Sequence, residues 1–322
     1  MTLPPEFALI ARHFRPLAGP GALDLSDDAA VLAPPPGREM VLAADAMVSG
    51  VHFLPDDPPE TIGRKLLRTN LSDLAAMGAA PLGYLLTTIL PRGITPGWLE
   101  GFAAGLAEDQ KEFGVVLLGG DTTSTPGPIS LSLTILGHVA PGQAIRRVGA
   151  GPGQDVWVSG TIGDGALGLA VLLGEVPGGA TGHLAGRYRL PRPRLALGQA
   201  LVGLATAAMD VSDGLVQDLG HLCRASGCGA EIGAGRVPLS AEAAALLADR
   251  PALLPRVLTG GDDYELLFAA PPEAAAEIEA RAAACGVAVT RIGRFLTGEP
   301  EVVVRDAEGG VLPIHHGGWS HF

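Results

Sequence analysis

Residues 141–154 read PGQAIRRVGAGPGQ, and this segment divides the 322-residue chain into two parts. Glycine and proline interrupt helices and strands, so a segment this rich in both predicts a boundary between domains. The length of the chain independently suggests two domains of roughly 150 residues each. We therefore expect an N-terminal domain over residues 1–140 and a C-terminal domain over residues 141–322.

Upstream of this segment, apolar runs and helical spacing alternate. The spacing of apolar residues predicts helices at 60–77 and 96–113. Short apolar runs rich in Thr, Ile and Leu predict the strands. The predicted strands are 39–45, 81–90, 115–118 and 129–139.

Downstream of the segment, strands and helices again alternate. The predicted strands are 155–159, 265–269, 287–295 and 301–305. The predicted helices are 164–174, 193–207, 214–226, 240–249 and 272–285. Alternation of this kind predicts α/β (α+β layered) architecture in both halves.

The composition restricts the classes of function. The formal net charge is −12, and Lys65 and Lys111 are the only lysines. A protein that binds nucleic acid needs a basic surface to displace counterions from phosphates, so we expect no nucleic-acid partner. The sequence has neither the pattern of a signal peptide nor an uninterrupted apolar run of about 20 residues. We therefore expect no membrane partner and a cytoplasmic location.

Six aspartates stand at turn-like breaks rather than on ordinary solvated faces, and several adjoin apolar segments. An acid beside a core must be paired, hydrogen-bonded or bound to a metal. With so few lysines to pair with these acids, metal ions are favoured as their partners. Mg²⁺ takes oxygen ligands that include substrate phosphates. Six acids exceed what one ion needs, so several ions on a polyphosphate are expected. The six residues are Asp28, Asp45, Asp73, Asp121, Asp210 and Asp213.

Simpler interpretations stay open for each aspartate taken singly. Asp210 and Ser212 are residue types that cap helices, and a helix is predicted to begin near Gly214. The chain has no GxxxxGK[ST] loop, and its one GxGxxG match, at Gly163, Gly165 and Gly168, lacks the acidic residue that a dinucleotide site needs about 20 positions later. We interpret that match as a tight strand-to-helix turn, with a nicotinamide-dependent oxidoreductase as the minor alternative.

Seven strings together resemble one known family. Any one of them is weak evidence, but they fall in order from residue 26 to residue 322. The chain resembles thiamine-monophosphate kinase, within the wider group of aminoimidazole ribonucleotide synthetase-like enzymes. The strings are SDDAA, AADAMVSGVHF, NLSDLAAMGAAP, GGDTT, MDVSDGLVQDL, TGGDDYELLF and GWSHF.

The resemblance implies a two-domain aminoimidazole ribonucleotide synthetase-like fold and a homodimer. The N-terminal domain would bind ATP and magnesium and form a dimeric β-barrel-like core, and the C-terminal α/β domain would complete the active-site cleft. ATP would be the co-substrate, thiamine monophosphate the acceptor, and several Mg²⁺ ions the cofactor.

The resemblance also implies roles for individual residues. The metal ligands would be the six aspartates and the backbone carbonyl of Ala44, and catalysis through Mg²⁺ would rest on Asp45, Asp73, Asp121 and Asp210. ATP would contact Gly120, Asp121, Arg147 and Ser212. Thiamine monophosphate would contact His52, Asp262 and Trp319.

The chain departs from the family pattern at a few positions. Ser26 replaces a glycine, Ala43 and Ala44 stand where a threonine is usual, and Asp262 replaces a glutamate. Alternatives therefore stay open, namely another ATP-dependent enzyme of the same group or a nucleotide-binding regulator without activity. The acceptor phosphate has a second pKa of about 6 and is ionised at neutral pH, so we expect direct in-line transfer without a general base.

Overall fold

The computed structural model describes residues 5–179, 182–314 and 317–319, and its contacts divide the chain into two compact units. Unit 1 extends to Gly142, except for Ala75–Ala79. Those five residues belong to unit 2 together with the chain from Gln143 onward.

Unit 1 is built on a four-stranded mixed sheet. The strand order is β1-β4-β2-β3, in which β4 runs antiparallel to β1 and β2 while β3 runs parallel to β2. A parallel neighbour requires a crossover connection, which α3 supplies. The elements of this part of the chain are α1 (Pro5–Leu9), β1 (Glu39–Val48), α2 (Pro59–Ala76), β2 (Ala80–Pro91), α3 (Pro96–Phe113), β3 (Val116–Thr125) and β4 (Ser130–Val139).

Local chemistry fixes the ends of α3. Thr95 is the N-cap, and its hydroxyl oxygen accepts the Trp98 N–H at 3.2 Å. Pro96 follows, with no N–H that would need a partner. The helix ends at Gly114, whose φ of 66° lies in the left-handed region that favours glycine. The predicted helix 96–113 is therefore observed.

Unit 2 contains a six-stranded sheet of order β10-β7-β9-β5-β8-β6, in which the β10–β7 pair is parallel and the other pairs are antiparallel. Strands β5, β6 and β8 are buried along their whole length. The strands are β5 (Asp155–Ser159), β6 (Ala207–Asp210), β7 (Gly229–Gly233), β8 (Leu266–Ala270), β9 (Val289–Leu296) and β10 (Val302–Arg305). The helices are α4 (Asp164–Leu172), α5 (His183–Arg189), α6 (Leu195–Ala200), α7 (Leu215–Ser226), α8 (Ala241–Asp249), α9 (Leu254–Thr259) and α10 (Ala275–Ala284).

Three predicted boundaries are wrong. The strand predicted at 39–45 continues to Val48, so Asp45 lies within β1 and not at its end. The strand predicted at 115–118 continues to Thr125, because its polar second half is still hydrogen-bonded to β2. The helix predicted at 193–207 ends at Ala200, and residues 207–210 form strand β6. A short apolar run does not distinguish a buried strand from a helix by periodicity alone. For the same reason α5, α9 and β7 were not predicted.

The overall class is a two-domain fold of mixed α and β content, as predicted. Within the described residues the four strands of unit 1 form an open sheet rather than a closed barrel. None of the helices in the described part of the chain is both long and apolar enough to cross a membrane.

Candidate active site

A cavity of about 620 Å³ in unit 1 is lined by Asp27, Asp28, Gly120 and Asp121. Residues 26–28 form an exposed turn, and Gly120 and Asp121 lie on β3 beside Leu86 and Thr87 of β2. The fold thus brings two of the predicted metal ligands, Asp28 and Asp121, to one cavity. The predicted nucleotide contact Gly120 lies there too.

Gly120 is required by the packing of β3 on β2. Its φ is 152°, and a Cβ at this position would overlap the carbonyl oxygen of Leu86. The close approach that excludes a side chain at Gly120 is therefore between the backbones of β3 and β2. Gly120 is itself exposed at the cavity, and the exposed carboxylate of Asp121 follows it.

Helix α2 is hydrogen-bonded to the strand that carries Asp45. The buried side chain of Asn70 accepts the Asp45 N–H at 3.2 Å, and its amide donates to the Leu66 carbonyl at 2.9 Å. Asp73 follows Asn70 by three residues, so it lies on the same face of α2. Asn70 thereby fixes the helix face of Asp73 relative to the strand of Asp45.

A hydrogen bond in the turn after β1 selects one tautomer of His52. The Val48 N–H donates to His52 Nδ1 at 3.0 Å, so the neutral imidazole carries its proton on Nε2. The buried ammonium group of Lys65 donates to the His52 carbonyl oxygen at 3.0 Å. From the sequence, Lys65 entered only the charge balance, whereas in the structure it anchors this turn.

In unit 2, strand β6 ends at the buried Asp210, and the next three residues form a turn into α7. The N-cap of α7 is Gly214, so neither Asp210 nor Ser212 has the capping role that the sequence left open. The carboxylate of Asp218 accepts the N–H groups of Asp213 and Gly214 at 3.0 and 3.1 Å. Asp218 therefore holds the turn that presents Ser212 and Asp213.

Negative charge is concentrated around this turn. Burial, followed by the neighbouring charges of Asp210 and Asp213, raises the pKa of Asp218 to about 8. The Oδ1 atom of Asp218 is buried, and it has no hydrogen-bond partner among the residues that the structure describes. A cation placed among these carboxylates would relieve their repulsion.

The segment that carries Asp262 lies alongside the same turn. The Asp262 N–H donates to the Ser212 carbonyl at 2.9 Å, and the Tyr264 N–H donates to the Val211 carbonyl at 2.8 Å. Asp262 and Tyr264 have φ values of 72° and 51°, in the left-handed region. A predicted substrate contact, Asp262, is thus joined directly to a predicted nucleotide contact, Ser212.

The GxGxxG match is the strand-to-helix turn before α4, and its backbone donors are occupied. The fully buried carboxyl of Asp263 accepts the N–H groups of Gly163 and Gly165 at 2.7 and 3.0 Å. This is the position that a dinucleotide phosphate would need at a helix N-terminus. The chain's own carboxyl fills it, which disfavours the nicotinamide interpretation.

A second buried acid anchors the other end of this segment. Glu265 accepts from the Ser159 hydroxyl at 2.6 Å, from Arg187 at 3.0 Å and from Arg194 at 2.6 Å. Arg187 also donates to the Asp263 carbonyl at 2.9 Å. Asp263 and Glu265 were not predicted, although acids that precede the apolar run LLFAA must be paired in a core.

Arg147 and Trp319 both lie near α7. The Arg147 carbonyl accepts the Ser226 hydroxyl at 3.3 Å. Burial, followed by the charges of Arg224 and Arg147, lowers the pKa of His221 on α7. The Trp319 N–H donates to the Asp213 carbonyl at 3.0 Å. In unit 2 the structure therefore places six of the predicted site residues around β6 and α7, namely Arg147, Asp210, Ser212, Asp213, Asp262 and Trp319.

The donor chemistry fits Mg²⁺. The predicted ligands are oxygen atoms alone, as Mg²⁺ prefers. Within the described residues, however, no three His, Cys, Asp or Glu side chains form a preassembled metal cluster. An ion here would have to complete its shell with water and phosphate oxygens, which is how Mg²⁺ is usually held in enzymes of phosphoryl transfer.

Two family models cover most of the chain. The N-terminal domain of AIR synthase related protein matches residues 26–139, and the C-terminal domain of the same group matches residues 151–306. The thiamine-monophosphate kinase of Caulobacter vibrioides is 49% identical over 301 residues, which is 92% of this chain and 85% of that protein.

Solved structures of thiamine-monophosphate kinases are also similar to this chain over most of its length. The thiamine-monophosphate kinase of Stenotrophomonas maltophilia K279a has a TM-score of 0.82 and 40% identity, covering 89% of this chain and 91% of that one. A structure of AaThiL complexed with AMPPCP and TMP has a TM-score of 0.78 and 31% identity. It covers 92% of this chain and 91% of that one.

Proposed function

The chain belongs to the thiamine-monophosphate kinase family, and we propose that it transfers the terminal phosphoryl group of ATP to thiamine monophosphate. The products are thiamine diphosphate and ADP. The observation that carries this function is 49% identity to a thiamine-monophosphate kinase over 92% of the chain. A relative of the same fold, AaThiL, is complexed with AMPPCP and TMP, which stand for the two substrates.

The chemistry suits an acidic protein with few lysines. A phosphate oxygen of thiamine monophosphate attacks the γ-phosphorus of ATP, the bond from that phosphorus to the β,γ-bridging oxygen breaks, and ADP leaves. The attacking phosphate has a second pKa of about 6, so it is ionised at neutral pH without a general base. The difficulty lies in bringing two polyanions together, and this makes cation binding the main requirement.

We assign the cation sites to aspartates in both units. In unit 1 the ligands are Asp28, the carbonyl of Ala44, Asp45, Asp73 and Asp121, and in unit 2 they are Asp210 and Asp213. When bound, Mg²⁺ supplies charge neutralisation and alignment of the phosphate oxygens. Support comes from the shared cavity of Asp28 and Asp121 and from the repulsion among the carboxylates beside α7.

The nucleotide contacts are assigned on similar grounds. Gly120 offers backbone that no side chain covers, and Asp121 follows it with an exposed carboxylate. Arg147 is exposed and can meet phosphate oxygens with its guanidinium group. Ser212 lies at the turn held by Asp218, so its position is well defined.

The acceptor contacts are His52, Asp262 and Trp319. The neutral His52 ring carries its hydrogen on Nε2, and this N–H can donate a hydrogen bond to a phosphate oxygen. The Asp262 carboxylate complements the cationic thiazolium ring. The Trp319 side chain is 53% exposed, and its indole offers a face for stacking on that ring, a contact worth about 0.5–2 kcal/mol.

The proposal extends to the assembly and location of the protein. The open sheet of unit 1 exposes Leu42 to 61% and Leu85 to 40%, and we propose that a second copy covers this face in a homodimer. Size measurement in solution tests this, and a monomer at micromolar concentration would refute it. We place the enzyme in the cytoplasm, where ATP is available and where cysteines such as Cys223, Cys228 and Cys285 stay free.

A coupled assay tests the function. Purified protein is mixed with ATP, Mg²⁺ and thiamine monophosphate, and thiamine diphosphate and ADP are quantified. We expect both products in equal amounts, no product with thiamine as the acceptor, and a collapse of turnover in Asp45→Asn. ATP binding without product would instead favour the inactive regulator or another enzyme of the wider group. A stable labelled phosphoprotein would contradict direct transfer.

A further inference from the structure

The segment Gly317–Trp319 lies against the first turn of α7 and is held there by backbone contacts. The Gln217 N–H donates to the Gly317 carbonyl at 3.0 Å, and the Trp319 N–H donates to the Asp213 carbonyl at 3.0 Å. More than half of the Trp319 residue is exposed, so burial contributes little to its position. Hydrogen bonds of its backbone N–H and carbonyl hold it against the turn and the helix.

The side chain of Gln217 makes the third of these bonds. Its amide nitrogen Nε2 donates to the Trp319 carbonyl at 2.5 Å and lies 3.4 Å from Asp213 Oδ2. One amide group therefore bridges a residue assigned to the acceptor and a residue assigned to the metal. Gln217 itself is assigned neither role by the family motifs.

The segment packs tightly against α7 at Gly318 and at ordinary van der Waals distance at Gly317. A Cβ on Gly318 would lie 2.6 Å from the Asp213 carbonyl oxygen and 2.6 Å from Gln217 Cβ. Among the described residues, the atom closest to a Cβ on Gly317 would be Gln217 Cα, at 3.6 Å. The segment can therefore approach α7 this closely only because residue 318 has no side chain.

We propose that Gln217 is a positioning residue that sets the affinity for thiamine monophosphate by holding Trp319 against the Asp213 turn. The inference rests on the proposed function, in which Trp319 contacts the acceptor. Without the side-chain bond, Trp319 keeps one backbone bond to the turn but loses the bond at its carbonyl. The acceptor must then order the indole when it binds, and this lowers the apparent affinity.

The test is a separation of kinetic constants. Loss of one neutral hydrogen bond at a half-exposed site predicts about a five- to tenfold rise in the KM for thiamine monophosphate in Gln217→Ala. The KM for ATP should stay within about twofold, because the Gln217 amide lies 3.4 Å from Asp213 Oδ2, beyond the ordinary hydrogen-bond length, whereas its bond to the Trp319 carbonyl is short. Gln199→Ala removes an exposed glutamine on α6 and should match the wild type.

Two further variants and one control separate the effect of the Gln217 hydrogen bond from the effect of packing at Gly318. Gln217→Glu keeps the shape of the side chain but cannot donate to the Trp319 carbonyl, so it should raise the KM for thiamine monophosphate at least as much as the alanine variant. Gly318→Ala should do the same by displacing the segment, whereas Gly317→Ala should retain the wild-type KM.

Hydrogen exchange reports the position of the segment directly. In protein labelled with ¹⁵N-tryptophan, three backbone amides appear, from Trp98, Trp157 and Trp319, and loss of a signal in Trp319→Phe assigns the third. We expect that amide to exchange about tenfold faster in Gln217→Ala and Gly318→Ala, with the other two amides unchanged.

The outcomes distinguish the inference from the function on which it rests. A wild-type enzyme that forms no thiamine diphosphate refutes the function, and the inference falls with it. An active wild type whose KM for thiamine monophosphate is unaltered in Gln217→Ala and Gly318→Ala refutes the inference alone. Equal rises in both KM values would also refute it, because they would indicate general damage to α7.

Discussion

Replacement of Asp263 by alanine tests whether one buried carboxyl organises the acceptor side of unit 2. The side chain is fully buried, and its two oxygens accept the N–H groups of Gly163 and Gly165 at 2.7 and 3.0 Å. Burial raises its pKa to about 8, against the opposing effect of the two N–H groups that it accepts. Asp263→Ala removes both of these acceptors.

The expected loss follows from the two donors left behind. A buried N–H without a partner costs about 1–3 kcal/mol, so Asp263→Ala should lower the free energy of unfolding by about 2–6 kcal/mol. The neighbouring variant Asp262→Ala is a matched control, because Asp262 is only partly buried and its backbone bond to Ser212 is unaffected. We expect Asp262→Ala to cost at most about 1 kcal/mol, the strain of alanine at a left-handed φ.

Urea unfolding at pH 7, followed by circular dichroism and tryptophan fluorescence, gives the two free energies. The acceptor KM gives the complementary result, since Asp262→Ala should raise it while leaving the fold stable. Equal stability of the two variants, or a loss below about 1 kcal/mol in Asp263→Ala, would refute the view that this carboxyl anchors the segment.

Three further predictions concern other buried charges. The pKa of Asp218 is about 8 in the folded protein, above its ordinary value of 3.8. The protonated side chain therefore makes its full contribution to stability below about pH 4, and this contribution is lost as the pH rises to about 8. The free energy of unfolding falls by no more than about 1.4 kcal/mol per pH unit in this range. In chelator, Asp218→Asn should therefore be more stable than the wild type at pH 9, whereas the exposed control Asp56→Asn should not. Asp109→Asn should destabilise unit 1 by about 3–5 kcal/mol in urea unfolding, because the fully buried carboxylate pairs with two arginines of α2. Glu100→Gln removes an exposed ion pair and should cost less than about 1 kcal/mol. Asp210→Asn should lower turnover at least about 100-fold and raise the Mg²⁺ concentration needed for half-maximal rate.

Each of these has a result that would overturn it. The pH prediction fails if melting temperatures of Asp218→Asn and the wild type differ by the same amount at pH 6 and pH 9. Equal losses in Asp109→Asn and Glu100→Gln would contradict the importance assigned to burial. An Asp210→Asn enzyme with normal turnover and normal Mg²⁺ dependence would remove that residue from the metal site.

The sequence alone was sufficient for much of the fold and for the family. Helices such as α2 and α3 have apolar residues at helical spacing over 18 positions, and the end of α3 is marked by Gly114. Long periodic segments and terminating residues are local signals, so they can be recognised without the rest of the chain. The ordered motifs likewise indicated the kinase family, which the comparisons confirm.

Short elements and buried partners could not be found in this way. Strand β6 has three apolar residues followed by Asp210, and only its pairing with β8 distinguishes it from a helix end. Asp263 looked like a companion of Asp262, yet the two side chains differ completely in environment. Asp262 is partly buried and the next residue, Asp263, is fully buried, and the local sequence does not record that difference.

What only the tertiary structure decided is which polar groups meet across long separations in the chain. The bond from Gln217 to the Trp319 carbonyl joins residues 102 positions apart, and the bond from Asp263 to Gly163 spans 100. The sequence determined which residue types are available for metal, nucleotide and acceptor, because donor chemistry belongs to the side chain itself. Packing determined which of them are held in place, because a buried polar group is stable only where the fold brings its partner within hydrogen-bonding distance.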